Sequence, residues 1–421
     1  MSVAARSRIA DLALAPGGHQ AIDWARRRSP VLDGFVRTVL ADGALQGRRV
    51  AVVVHLEAKT AFLGTVLADA GAEVVMAGSN PWTTRDDVCA ALVERGIEVH
   101  SSRGATAKTW EEDLLAVADT EPELIVDDGA ELTLRMSRHR PLIYEGLRGV
   151  SEETTTGVAR LRQLEAAGRL PMAAIAANDA ACKHMFDNRY GTGQTTVQAI
   201  LKLTNLRLPG KKVVVVGYGW VGRGIANYVR ALGARAIVVE VDPIKALEAH
   251  TDGHDVTGLV SALPEGDIVI TATGGIRAVG HDHASLLAPS VILANAGHHD
   301  LEIDVPALRL LADQEDEVRP GVTRLILPGD KPAFVLSSGA LVNIAGGMGH
   351  PIEIMDLSFS VQALSCHLLA AGGLALGVHR FPEALDRAIA TAKLASRGIV
   401  LDQPDPARLN TLVGSLEASD D

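Results

Sequence analysis

The run Val213-Val-Val-Val-Gly217-Tyr-Gly219-Trp-Val-Gly222 limits what this 421-residue chain can fold into more than any other segment. An apolar strand-like stretch passes through a glycine-spaced turn into a helix-like segment, the pattern of a dinucleotide cradle. Gly217 permits the tight turn, Gly219 lets backbone approach a pyrophosphate, and Gly222 allows close helix–strand packing, with the positive helix end facing the phosphates. A second apolar run, Arg235-Ala-Ile-Val-Val-Glu240, follows at the spacing of one βαβ unit, and its closing acid suits both hydroxyls of an adenosine ribose. Lys245 could greet a 2′-phosphate, but Glu240 would repel one, so NAD is expected rather than NADP. A glycine turn with no ligand is the bland alternative; strand, glycines and acid together argue against it.

A chain of this length exceeds one hydrophobic core, and two domains are expected. Hydrophobic content of 47% with 22% charged residues is that of a globular protein. The longest apolar stretch, around Leu368 to Val378, is interrupted by glycines and predicts no membrane span. Asp11 breaks any secretory apolar core near the start, so a cytoplasmic protein is expected. Cys89, Cys182 and Cys366 are odd in number and widely spaced, as plain thiols are. A net charge of −11, with no basic stripe, argues against nucleic acid as a partner.

Periodicity predicts repeated α/β units. Strand-like runs fall at Val50–Val54, Glu73–Met76, Leu124–Val126, Ala173–Ala176, Val213–Val216, Ile237–Val239, Ile268–Ala272 and Val291–Ala294, most of them separated by helical patterns. Short apolar runs closed by glycine or acid imply buried parallel strands, hence two doubly wound, Rossmann-like α/β domains. Loop signals at Leu208-Pro-Gly-Lys-Lys212 and Gly346-Gly-Met-Gly-His-Pro351 bracket the cofactor unit. The expected organisation is a substrate domain over 1–185, an NAD-binding domain over 186–350, a return segment over 351–385 and a short terminal piece over 386–421. Ile354 to Leu376 reads as a helix returning to the first domain, and Glu417-Ala-Ser-Asp-Asp421 as a frayed acidic end.

Ligands of open α/β sheets sit at the carboxyl ends of strands, so the polar residues closing each apolar run are the candidates for chemistry. They are His55, Asp127 with Asp128, Asn178 with Asp179, and Asn295 with His298 and His299. Singly, each reads more readily as a helix cap or satisfied loop residue; together they converge. Lys183 and Asp187 stand four apart, one face of a helix if Asp179–Asn188 is helical, and a lysine held by a carboxylate can polarise a substrate hydroxyl. Ser151-Glu-Glu-Thr-Thr-Thr-Gly157 offers acceptors and hydroxyls for a ribose or an amide, or else a capping box. His281-Asp-His283 lacks further ligands at useful spacing, and no metal site is expected.

These motifs, in this order and with Leu341-Val-Asn343 and Met348-Gly-His-Pro351, resemble the S-adenosyl-L-homocysteine hydrolase family over nearly the whole chain, from Ile9-Ala-Asp-Leu to Gly377-Val-His379. The resemblance implies one tightly held NAD per subunit, used as an internal oxidant and regenerated each turnover, in a homo-oligomer, dimer or tetramer, acting on a small nucleoside substrate. Oxidation of a ribose 3′-hydroxyl acidifies the C4′ proton, the C5′ substituent leaves, water adds, and the ketone is reduced back. By that likeness Lys183 and Asp187 handle the 3′-hydroxyl proton, Glu153 holds the 2′-hydroxyl, Asp128 and His55 are acid and base at C4′ and C5′, and His298 and Asn178 position the sugar. His350, Met348 and Phe359 belong to the substrate pocket. Thr154, Thr155, Thr156, Asn188 and Asn343 go to the cofactor, as do Trp220, Val221, Lys245, Thr273 and Asn295 beside the three motif glycines and Glu240.

The chain departs from the family at the base. After His55 the family carries Met-Thr-Val then Glu or Gln, an acceptor that reads adenine; here the row is Leu56-Glu57-Ala58-Lys59, and Lys59 presents donors instead. Thr192 replaces a cysteine, His299 replaces an aromatic, and the family's Lys-Pro-Asp-His-Tyr-Arg-Tyr tail is not found, which bears on cofactor retention and on the tetramer. Retained ribose chemistry with an altered base pocket leads to the expectation of a specialised nucleoside dehydratase that stops at a 4′,5′-unsaturated sugar. The alternatives are hydrolysis of S-adenosyl-L-homocysteine itself and a catalytically silent NAD-binding regulator.

Overall fold

The computed structural model describes residues 3–297 and 300–402; His298, His299 and the acidic segment Glu417–Asp421 lie outside the described residues. Two sheets organise the chain. The first contains β1 (Arg49–Val54), β2 (Glu73–Gly78), β3 (Glu98–Val99), β4 (Leu124–Asp127), β5 (Gly149–Glu152), β6 (Ala173–Ala176) and β15 (Gly377–Arg380), all parallel, in the order β15-β6-β5-β4-β1-β2-β3. The second contains β7 (Lys212–Val216), β8 (Arg235–Val239), β9 (Asp255–Val256), β10 (Ile268–Thr271), β11 (Val291–Asn295), β12 (Gln314–Arg319), β13 (Val322–Leu327) and β14 (Lys331–Leu336), in the order β12-β13-β14-β11-β10-β7-β8-β9. Strand order reverses between β1 and β4 in one sheet and between β7 and β10 in the other, and a crevice opens at the carboxyl edge of such a reversal. His55 and Asp128 flank the first, Gly217 and Ala272 the second.

All eight runs read from periodicity are strands, and each sheet is sandwiched by apolar side chains, Val50, Val52 and Val54 facing one layer and Ala51 and Val53 the other. Parallel strands covered on both faces are near-continuously apolar, which is why pattern alone found them. It missed β5, because Ser151 and Glu152 are polar yet fully buried, their polarity met by Gln362 for Ser151 and by backbone N–H groups for Glu152. It also missed β12 to β14, which pair antiparallel; β12 is a charged, wholly exposed edge, a composition that discourages edge-to-edge pairing.

The return helix runs Ile352–Ala371 and the chain then pairs as β15 with β6, so the last residues expected to be helical, 372–376, form the connection between them instead. Gly372 and Gly373, both at positive φ, end the helix. By length and composition this helix could cross a membrane, contrary to the sequence expectation, but 78% of its most apolar window is buried against the first sheet and its helices. Asp356 within it accepts the N–H groups of Val31 and Leu32 and pairs with Lys393 at 2.8 Å, tying the return segment to the N-terminal part of the chain and to the helix Glu383–Ala395.

Candidate functional site

The carboxyl edges of both sheets border one cavity of about 500 Å³. From the first sheet come His55, Glu57, Lys59, Asp128, Glu153, Thr154, Thr155, Thr156 and Asn178; from the second come Gly219, Trp220, Val221 and Thr273. Lys183, Asp187, Asn188 and Thr192 reach it from the connecting segment, and His350 and Phe359 from the return side.

Asp187 is the hub of the connecting segment. Its carboxylate takes Lys183 Nζ at 3.3 Å and His350 Nδ1 at 3.1 Å on one oxygen and the Ser358 hydroxyl at 2.8 Å on the other. Burial alone would raise its pKa, but Lys183, His350 and Ser358 outweigh burial and hold the carboxyl well below the usual range. Lys183 also donates to Asn188 Oδ1 at 2.9 Å, and Asn188 donates to Asn178 Oδ1 at 3.2 Å. The expected Asp179–Asn188 helix is broken: a 3₁₀ turn at Ala177–Asp179, an α turn at Ala181–Lys183, then a π-helix over His184–Gly191. The wider winding still stacks Lys183 on Asp187. Asp386 fixes the start by accepting the N–H groups of Ala181 at 2.6 Å and Cys182 at 3.0 Å.

Facing this hub are two buried carboxyls. Glu153 is 7% exposed and its Oε2 has no partner among the described residues. Burial, reinforced by Asp128, Asp187 and Glu57 and opposed by Lys183, pushes its pKa up to about 8. Asp128 accepts the Ser79 hydroxyl on Oδ2 at 2.7 Å, and the same oxygen lies 3.5 Å from His55 Nε2. Asp127, paired with it in sequence, turns away: it accepts from Thr133 and the Leu132 N–H and shapes the β4 turn. At the other end Glu57 caps the helix Ala58–Asp69 and pairs with Lys59 at 2.8 Å, while Lys59 Nζ lies 3.4 Å from the Met348 carbonyl. Met348 is 82% exposed and does not line the cavity, so against expectation it meets the site only through its carbonyl.

On the cofactor side Gly217 sits at φ 101°, and a Cβ on Gly222 would lie 1.9 Å from the Gly217 carbonyl oxygen, while a Cβ on Gly219 would meet nothing within 4 Å. That is a turn packed tightly against its helix with open space above the middle glycine. Glu240 accepts the N–H groups of Tyr218, Val241 and Asp242, which fastens the acid to the glycine loop. Lys245 lies 3.9 Å from Asp242, outside the cavity. Asn295 does not reach the cavity; its amide bonds Gly297 N, Thr271 Oγ1 and the Gly339 carbonyl and braces the loop after β11. Asn343 is fully buried, donates to Thr195 at 3.2 Å and leaves Oδ1 unpartnered among the described residues.

Residues 6–143 match the family described as S-adenosyl-L-homocysteine hydrolase, and residues 188–349 match its NAD-binding domain. The chain belongs to the S-adenosyl-L-homocysteine hydrolase family. It is 46% identical over 401 residues to the S-inosyl-L-homocysteine hydrolase of Methanopyrus kandleri, covering 94% of this chain and 95% of that one. It is 45% identical to the adenosylhomocysteinase of Thermococcus kodakarensis, covering 94% of each, and 44% identical to that of Thermotoga maritima, covering 92% and 96%.

NAD is therefore the cofactor of this family member, and the residues fit it: the glycine cradle is open where a pyrophosphate needs backbone, Glu240 closes β8, and Asn343 has a buried acceptor to spare. Sequence reasoning overlooked four supports of the site. Ser79 and Thr83 follow β2, the one inner strand of the first sheet whose closing polar residues were not considered. Glu302 accepts the N–H groups of Thr273 and Gly274 and holds the loop after β10. Ser358 reaches Asp187 from 171 residues away, a contact without a local signal.

Proposed function

We propose that this protein hydrolyses an S-nucleosyl-L-homocysteine to the nucleoside and L-homocysteine. The observation that carries this reading is a single cavity where the NAD-binding glycine loop faces the Lys183–Asp187 hub, Glu153 and the His55–Asp128 pair. Bound there, NAD supplies a reversible hydride acceptor for a ribose hydroxyl. The Lys183–Asp187 pair handles the 3′-hydroxyl proton. Glu153, neutral at physiological pH, can donate to a 2′-hydroxyl oxygen as well as accept from it. The His55–Asp128 pair moves protons at C4′ and C5′. The net-elimination reading loses its ground, since relatives similar over more than nine-tenths of their length are named as hydrolases. The silent-regulator reading is disfavoured because Lys183 pairs with Asp187, His55 lies beside Asp128, and both pairs line one cavity with Glu153.

One observation favours a 6-oxopurine base over adenine. Lys59 stands where the family places an acceptor for the adenine amino group; a donor there pairs with O6, and Glu57 beside it can accept from N1–H. The S-inosyl-L-homocysteine hydrolase similar to this chain supports the same choice. The test is thiol release by NAD-loaded protein from S-inosyl- and S-adenosyl-L-homocysteine in parallel. Faster release from the inosyl compound supports both statements, faster release from the adenosyl compound overturns the base assignment, and release from neither overturns the hydrolase reading.

A further inference from the structure

Two oxygens in the turn after β2, the Asn80 carbonyl and Thr83 Oγ1, bear on the hydrogen that His55 carries. After β2 the chain makes a short turn capped by Asn80, whose Oδ1 accepts the Trp82 N–H at 2.9 Å. Thr83 closes that turn, buried to 8% exposure. Its Oγ1 lies 2.8 Å from the Asn80 carbonyl and 2.8 Å from His55 Nδ1. A carbonyl only accepts, so the hydroxyl hydrogen belongs on the line to Asn80, and Oγ1 is left to accept from the imidazole. The reverse arrangement, with the hydroxyl donating to Nδ1, forfeits the 2.8 Å bond to Asn80 inside a buried turn.

We propose that Thr83 is a positioning residue that fixes His55 with its permanent hydrogen on Nδ1, so that the exchangeable proton of the pair always lies on the Nε2 side, 3.5 Å from Asp128 Oδ2. Ser79, donating to that same oxygen at 2.7 Å, orients the carboxyl toward the imidazole. The inference deepens the hydrolase reading and rests on it. In the elimination from a 3′-ketone, the C4′–H bond breaks and its electron pair forms the C4′–C5′ double bond. The C5′–S bond breaks with sulfur keeping its pair. The His55–Asp128 pair takes the C4′ proton and returns one to sulfur. That exchange needs the mobile proton on the cavity-facing nitrogen. With the other tautomer Nε2 would carry the permanent hydrogen and could not accept without first losing it through Nδ1, which Thr83 faces.

The test compares Thr83→Val, nearly isosteric but unable to accept, with Thr83→Ser, which keeps the hydroxyl. In NAD-loaded protein mixed with S-nucleosyl-L-homocysteine, cofactor reduction reports the 3′-oxidation and thiol release reports elimination. Thr83→Val is expected to reduce its cofactor as the wild type does while releasing homocysteine on the order of 10²-fold more slowly, and Thr83→Ser to recover most of that loss. Equal slowing of both steps by Thr83→Val, release at the wild-type rate, or failure of serine to rescue would overturn the assignment. Imidazole nitrogen-15 spectra, with His55 identified by the His55→Asn variant, give a reading independent of turnover. His55 should show hydrogen on Nδ1 in wild type and Thr83→Ser, and lose that preference in Thr83→Val. Hydrogen on Nε2 in the wild type sinks the proposal. If wild-type protein releases no thiol from any S-nucleosyl-L-homocysteine, the hydrolase reading has failed, and the spectra still decide the tautomer.

Discussion

Replacing Glu153 by glutamine should stabilise the substrate-free protein, and by an amount that grows with pH. The carboxyl titrates at about 8 in the folded chain, raised first by burial and then by Asp128, Asp187 and Glu57, against an ordinary value of 4.5. The folded chain therefore keeps a proton that the unfolded chain surrenders from pH 4.5 upward, and stability falls as pH rises through that window, levelling off above pH 8. One pKa unit corresponds to about 1.4 kcal/mol, so the cost in the wild type is under about 1 kcal/mol at pH 5, about 3 kcal/mol at pH 7 and approaches about 5 kcal/mol above pH 8. Glutamine has the shape of the protonated acid and cannot ionise, so it escapes this cost throughout. Urea denaturation of both proteins at pH 5, 7 and 9, in matched buffers without substrate, gives the difference directly. Curves for Glu153→Gln that run parallel to wild type at all three pH values would refute the reasoning, because the buried carboxyl would then not be the group that loses stability.

Gly222→Ala places a Cβ at 1.9 Å from the Gly217 carbonyl, and since ~1.4 kcal/mol of strain already means tenfold weaker binding, the purified variant should carry little NAD, measured by release on denaturation. Lys59→Gln removes a charged donor worth about 1.5–3 kcal/mol, so the kcat/KM preference for S-inosyl- over S-adenosyl-L-homocysteine should drop by about 10- to 100-fold; an unchanged ratio counts against base reading by Lys59. Asp386→Ala strips the acceptor from the Ala181 and Cys182 N–H groups. It should cost about 2 kcal/mol and slow cofactor reduction more than it weakens substrate binding, because Lys183 is the next residue along the turn it secures.

The parts of this protein that its sequence determined by itself are those where backbone geometry admits few residues. The turn at Gly217 to Gly222 needs positive φ and a missing Cβ, so glycine spacing announces it, and Glu240 follows at the distance one βαβ unit imposes. Parallel strands buried on both faces are near-continuously apolar, so eight of them, and most of the polar residues at their carboxyl ends, were legible from composition along the chain.

Tertiary structure alone decided how those residues work. Asp187 meets Lys183 within one turn, but Ser358 arrives from the return helix and His350 from the loop before it, and their bonds keep it ionised where burial would not. Glu153 and Asp187 are both buried acids beside Lys183, yet one is held as an acid and the other as an anion, because only one of them receives donors. The strand β5 hid because its polar residues are satisfied by partners distant in sequence, and Met348 was misjudged because its carbonyl, not its side chain, faces the site. Local sequence can say which groups stand at a strand's end. Whether a group is charged, which hydrogen it carries and what it faces depend on solvent exclusion and on donors brought from elsewhere, and only the folded chain supplies those.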